Sequence, residues 1–182
     1  MESQDNFSES DSLDTTYMIE EQKIISLNKF IFLSVISFGI YPIWWIYKAW
    51  GFFNQKEKLN VNPAVYTIFS VIFLISLFKK IFDFAKEKGY NRGNIFLTIL
   101  LYLGYFVTNL LAQFPSPFEL IVILSFVFLI PPFKALNFAK RNSSEFTVTE
   151  QTSFNTGQIV LIVIGGIVWS LVLLGLAVIY IR

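Results

Sequence analysis

Neither cysteine nor histidine occurs among the 182 residues of the chain. Without cysteine there is no disulfide, no thiolate nucleophile, no iron–sulfur ligation and no S-acylation. Without histidine the usual proton shuttle near neutral pH and the commonest zinc or haem ligand are missing. Charge is scarce too, at 15% of residues, against roughly 25% in an ordinary soluble domain. No P-loop, nucleophile elbow, zincin helix or dinucleotide fingerprint occurs. No cofactor, metal or nucleic-acid partner is expected, and most catalytic repertoires are excluded.

What is abundant is apolar surface, with 54% hydrophobic and 18% aromatic residues. Most of such a surface must face something other than water. The first 22 residues are the exception, holding Glu2, Asp5, Glu9, Asp11, Asp14, Glu20 and Glu21 with no lysine or arginine. That composition predicts a disordered acidic tail, either a solvating extension or a docking arm for a basic partner. No basic n-region precedes the first apolar segment and no small-residue cleavage pattern follows it, so that segment is expected to be retained.

Residues 23–182 read as one transmembrane helical domain. Five uncharged stretches, about 30–47, 59–78, 95–112, 120–139 and 158–181, compare with the ~20 apolar residues that cross a hydrocarbon core of about 30 Å. Runs such as VILSFVFLI do not alternate, so a barrel is excluded and the segments must be helices. The fourth contains Pro131-Pro132 and spans only if its helix continues through Lys134, with that lysine snorkelling. FPSPF, residues 114–118, predicts a tight turn and an antiparallel hairpin of the third and fourth helices. The expected fold is an all-α membrane bundle of four to five transmembrane helices.

Counting basic residues in loops puts ten on one side (Lys23, Lys29, Lys79, Lys80, Lys86, Lys88, Arg92, Lys134, Lys140, Arg141) and four on the other. Cytoplasmic loops carry the excess, so the N-terminus is expected in the cytoplasm and the C-terminus outside. A rival topology stays open. The first segment contains Gly39 and Pro42, and the second is short if counted from Ala64; if one is re-entrant, all the basic loops share one face.

LFKKIFDFAK (77–86) and PPFKALNFAK (131–140) match at a spacing of 54 residues. Either they are copies of a helix hairpin or they coincide by chance in Phe- and Leu-rich sequence. In the first, Phe78, Ile81, Phe82 and Ala85 fall on one helical face opposite Lys79, Lys80, Asp83 and Lys86. Such a helix is expected to lie in the membrane interface, with Gly89 as its stop. Lys79, Lys80, Lys86, Lys134, Lys140 and Arg141 are then candidate contacts to anionic headgroups.

No ionisable residue falls at a predicted membrane centre. Asp83, Glu119 and Lys134 lie near segment ends, where water reaches them; Asp83 and Asn137, paired by the repeat, are the first polar candidates, with Asn109 on the third helix. Tyr41, Trp44, Trp45, Tyr47 and Trp50 read as interfacial anchors, or as a stacking platform for a quinone or lipid head. Thr108, Asn109 and Gln113 are expected to bond between helices, and Gly166 with Ser170 forms a small-xxx-small pair for close helix contact, within one chain or between copies. The loop 141–157 is Ser/Thr-rich and reads as a linker.

NKFIFLSVISFGIYPIWWIYKAW (28–50) resembles the first helix of a group of uncharacterised bacterial membrane proteins of a domain-of-unknown-function family. Leu33, Ser34, Gly39, Tyr41, Trp45, Tyr47, Lys48 and Trp50 carry the likeness, joined by Pro63, Leu77, Phe78, Ile81, Pro132 and Asn137. The resemblance implies a bacterial cytoplasmic membrane and a multi-helix fold, and it brings no activity. The expected role is non-catalytic: a membrane component acting on lipid, on another membrane protein or on copies of itself. The alternatives are a small oligomeric transporter or channel and a lipid-modifying enzyme.

Overall fold

A computed structural model of the chain describes residues 21–114 and 118–181. These residues form α1 (Leu27–Ile36), α2 (Ile40–Glu57), α3 (Pro63–Ile68), α4 (Ser70–Glu87) and α5 (Ile95–Leu111). A 3-10 helix (Phe118–Leu129) then runs into α6 (Ile130–Arg141), and α7 (Thr156–Ile181) is the last described element. Two short strands, β1 (Gln22–Ile24) and β2 (Val148–Glu150), pair in parallel with Gln22 opposite Val148. The chain is mostly helical, as its composition predicts. The acidic tail lies outside the described residues except for Glu21 and Gln22, and Gln22 already belongs to β1. Residues 115–117 of the FPSPF turn lie outside them as well.

Two stretches are long and apolar enough to cross a membrane, Ile121–Arg141 and Thr156–Gly175, rather than the four or five expected. The first predicted segment is broken. At the end of α1 the Phe38 N–H donates to Val35 O at 3.2 Å and the Gly39 N–H to Ser34 O at 3.0 Å. This is a Schellman-type stop, with Phe38 at φ 51° and Gly39 at φ 85°. The Ser37 hydroxyl accepts from the Tyr41 N–H at 2.9 Å, so the turn supplies its own partners at the start of α2. The chain doubles back, and Phe30 meets Tyr41 and Trp45 edge-on at 6.1 and 5.9 Å.

The second predicted segment is broken too. Asn62 caps α3 through the Ala64 N–H, with Pro63 in the first turn where its missing N–H is harmless. The helix bends at Phe69, and Tyr66 stacks on Phe73 with centroids 4.2 Å apart. Beyond the bend α4 returns, so that Lys80 pairs with Glu57 at the end of α2. Gly89, at φ 92°, stops α4: the Tyr90 N–H donates to Ala85 O at 2.9 Å and the Gly89 N–H to Lys86 O at 3.0 Å.

The two repeat-like stretches lie on α4 and α6, which pack together. Phe78, Ile81, Phe82 and Ala85 are buried, and so are their counterparts Pro132, Ala135, Leu136 and Ala139. The apolar face expected to rest in the lipid interface is thus covered by protein. A neighbouring helix offers it the same desolvation that lipid would.

α5 and the 3-10 helix form the expected hairpin, so closely that a Cβ on Gly104 would stand 2.1 Å from the Phe128 ring. Pro131 and Pro132 remove two N–H donors at the start of α6, and the twelve residues before it wind as 3-10 helix. α7 packs on α1 by one stripe. Its small residue there is Gly165, whose added Cβ would meet Ile36 O at 2.0 Å, whereas Gly166 faces open space. The close contact is therefore one residue away from the Gly166/Ser170 pair read from sequence, and the Ser170 hydroxyl bonds its own helix at Gly166 O. Elsewhere α7 is exposed and apolar, from Ile159 to Val178.

The ends of α2, α4 and α6 meet where β1 and β2 pair. Glu145, in the loop before β2, accepts from Lys56 at 2.7 Å and Lys88 at 2.8 Å. Those two hydrogen bonds hold its carboxyl well below the usual range, at about 2. Arg141 pairs with Glu150 at 3.1 Å, and the Lys29 ammonium donates to the carbonyls of Gln151 and Thr152. The 141–157 loop read as a linker is a clamp.

Candidate functional site

Beside this clamp a cleft of about 590 Å³ opens between α2, β1, α6 and the start of α7. Its size is within the range of small-molecule sites, about 300–1,000 Å³. α2 supplies one wall, because Tyr41, Trp44, Trp45 and Lys48 recur at helical spacing along a single face. The opposite wall comes from Asn137 and Lys140, one turn apart on α6. Gln151, Asn155 and Gln158 form the floor.

The floor is fixed by a capping box at the start of α7. The Asn155 side chain accepts from the Gln158 N–H at 2.9 Å, and the Gln158 side chain accepts from the Asn155 N–H at 3.0 Å. The Gln158 amide also donates to the Tyr41 hydroxyl at 3.2 Å and accepts from Gln151 at 2.6 Å. Asn137 donates to Ile25 O at 2.9 Å and so ties α6 to the residue after β1.

Lys140 is the unusual member. It is 8% exposed, its ammonium lies 4.2 Å from the Phe52 ring centroid, and its hydrogen bond goes to a neutral acceptor, Gln22 Oε1, at 2.9 Å. Among the described residues it pairs with no carboxylate. Lys48 is near enough to repel it, and stands 5.3 Å over the Trp44 ring. Removing an ammonium from water without a counter-charge is expensive, and the cation–π contact offsets only part of that, about 1–2 kcal/mol.

The other residues singled out from sequence scatter. Asp83 is exposed and pairs with Lys79 one turn away at 3.2 Å; it does not line the cleft that holds Asn137. Lys86 and Lys134 are exposed, Lys80 is taken by Glu57 and Arg141 by Glu150. Asn109 and Thr108 bond carbonyls of their own helix, at Tyr105 and Gly104. Of the five aromatics, Tyr41, Trp45 and Trp50 are core, while Trp44 is half exposed and stacks on Tyr47 at 5.3 Å. The side chain of Glu119 lies outside the described ones.

Sequence reasoning missed the cleft. Gln22, Asn155 and Gln158 carry no signal beyond an N-x-x-Q spacing ahead of an apolar run, and Lys140 reads from sequence as one of six headgroup-contacting basic residues. No family model, curated protein or solved structure matches the chain.

Proposed function

We propose that the chain is a non-catalytic, multi-pass component of the bacterial cytoplasmic membrane that engages anionic lipid or a neighbouring membrane protein through one basic end. α5, the 3-10/α6 rod and α7 cross the bilayer, while α1–α2 and α3–α4 enter and return from the cytoplasmic face. α5 is apolar and 17 residues long, or about 25 Å at 1.5 Å per residue, which suits a crossing at the short end of the range.

One observation carries this reading. The reversals at Phe38 and Phe69 bring the ends of α2 and α4 back to the β1–β2 pair, so the described loops that bear lysine or arginine meet at one end. The turns at the other end, around residues 37–39 and 112–114, contain no basic residue. That asymmetry fits the positive-inside rule better than five crossings, which would put Lys56 and Lys58 outside. The resemblance of residues 28–50 is what supports the bacterial setting.

Because the chain has no native cysteine, single cysteines report sidedness cleanly. Asn60→Cys and Arg92→Cys should both react with an impermeant maleimide only after the membrane is permeabilised, and Gln113→Cys in intact cells. Labelling of Asn60→Cys from outside would restore the five-crossing arrangement and sink this one. Turnover of a lipid substrate, lost in Asn137→Ala, would overturn the non-catalytic role.

A further inference from the structure

We propose that the cleft between α2, α6 and the start of α7 is a binding site for a phosphate group, held between Lys140 and Lys48. Two features of the cleft point the same way. A buried ammonium is left without a carboxylate among the described residues, its hydrogen bond going to the neutral Gln22 amide. A second ammonium, Lys48, faces the same space and repels the first. An anion between them removes both penalties together, and one with several acceptor oxygens serves two lysines better than a single carboxylate does.

The neutral groups fit an acceptor-rich guest. The Tyr41 hydroxyl accepts from Gln158 and keeps its own O–H to donate. The Asn137 amide uses one of its two N–H donors on Ile25 O. Trp44, Trp45 and Phe133 line the cleft alongside the lysines, an apolar surface suited to whatever carries the phosphate. Two sources share this chemistry: the headgroup of an anionic lipid and a free phosphate. The phosphate site stands on the cleft alone, and only lipid as its source rests on the membrane placement proposed above, which the Asn60→Cys labelling tests separately.

The test uses the full chain in nonionic detergent, titrated with dioctanoyl phosphatidic acid, dioctanoyl phosphatidylcholine, octanoate or inorganic phosphate while tryptophan emission is read. Saturable binding of phosphatidic acid is expected, at least tenfold weaker in Lys140→Met and in Lys48→Met. The loss in Lys86→Met, an exposed lysine outside the cleft and the counterpart of Lys140 in the repeat, should stay under about twofold. If inorganic phosphate binds equally well with the same sensitivity to Lys140→Met, the site stands and its source is free phosphate. Equal binding of octanoate or phosphatidylcholine, equal loss in Lys86→Met, no binding of either phosphate, or binding indifferent to both cleft lysines would each overturn the proposal. Unliganded Lys140→Met should melt no lower than wild type, because a methionine fills the lysine's volume without burying a charge. Should it melt lower, Lys48→Met, at an exposed position, decides the matter.

Discussion

The indole N–H of Trp169 donates to the carbonyl of Val35 across 3.2 Å while its ring lies on Phe38, centroids 4.6 Å apart. One side chain of α7 thus serves both halves of the turn that ends α1: a terminal carbonyl, and a bulky residue in left-handed backbone. Left-handed geometry costs a non-glycine residue roughly 1–2 kcal/mol, so the ring contact holds Phe38 where glycine is usual. In lipid, no water would take Trp169's place at that carbonyl.

Trp169→Phe keeps the stack and removes the donor, and should destabilise the chain by about 1 kcal/mol. Trp169→Ala loses both and should cost about 3 kcal/mol. Phe38→Gly trades relieved backbone strain against a lost ring contact of about 1 kcal/mol and should be near neutral. Thermal unfolding in detergent ranks the three, and a Trp169→Phe variant as stable as wild type would refute the role of the N–H.

Gly165→Ala drives a methyl into the backbone oxygen of Ile36, which cannot swing aside as a side chain would. It should lower stability by roughly 1–3 kcal/mol, whereas Gly166→Ala, facing open space, should change it by under about 0.5 kcal/mol. Equal melting temperatures for the two variants would show that α7 is rotated from the position described.

Glu145 makes the clamp pH-dependent in a defined direction. Its folded carboxyl titrates at about 2 against an ordinary 4.5. Its contribution is therefore complete above pH 4.5 and is lost as the pH falls from there through about 2. With the side chain 37% exposed, solvent screening limits the effect to under about 1 kcal/mol. The melting-temperature gap between wild type and Glu145→Gln should be open at pH 6 and closed near pH 2; a gap that widens on acidification would contradict the assignment.

Asn155→Ala removes one half of the capping box and should cost about 1 kcal/mol. It should also loosen Gln158, and with it the hydroxyl of Tyr41, so the emission of nearby Trp44 or Trp45 should shift. An unchanged spectrum together with an unchanged melting temperature would mean the box is not formed.

α5 and α7 were legible almost to the residue, 95–112 against Ile95–Leu111 and 158–181 against Thr156–Ile181, because an uncharged run between polar caps has one reading. The 30–47 run, read as one crossing or as re-entrant, is parts of two helices. Gly39 and Pro42 hinted at a break, but the residue that turns the chain is Phe38, and no propensity scale places phenylalanine in left-handed backbone. β1 and β2 are three residues each, too short for alternation to show. The periodicity of Phe78, Ile81, Phe82 and Ala85 marked an apolar face but assigned it to the lipid interface; only packing reveals that its partner is the repeat's other copy. The cleft was hidden for the same reason, since it joins β1, α2, α6 and α7, segments far apart in the chain.

The pairing of Gln22 with Val148 sets an order of assembly. A parallel ladder needs both strands present, so the segment leading into α1 waits for nearly the whole chain to be translated, on the order of ten seconds at ~10 residues per second. Until then the start of the first helical hairpin is unmoored, and a ribosome stalled before Val148 would leave that end free to slip or to be cleaved.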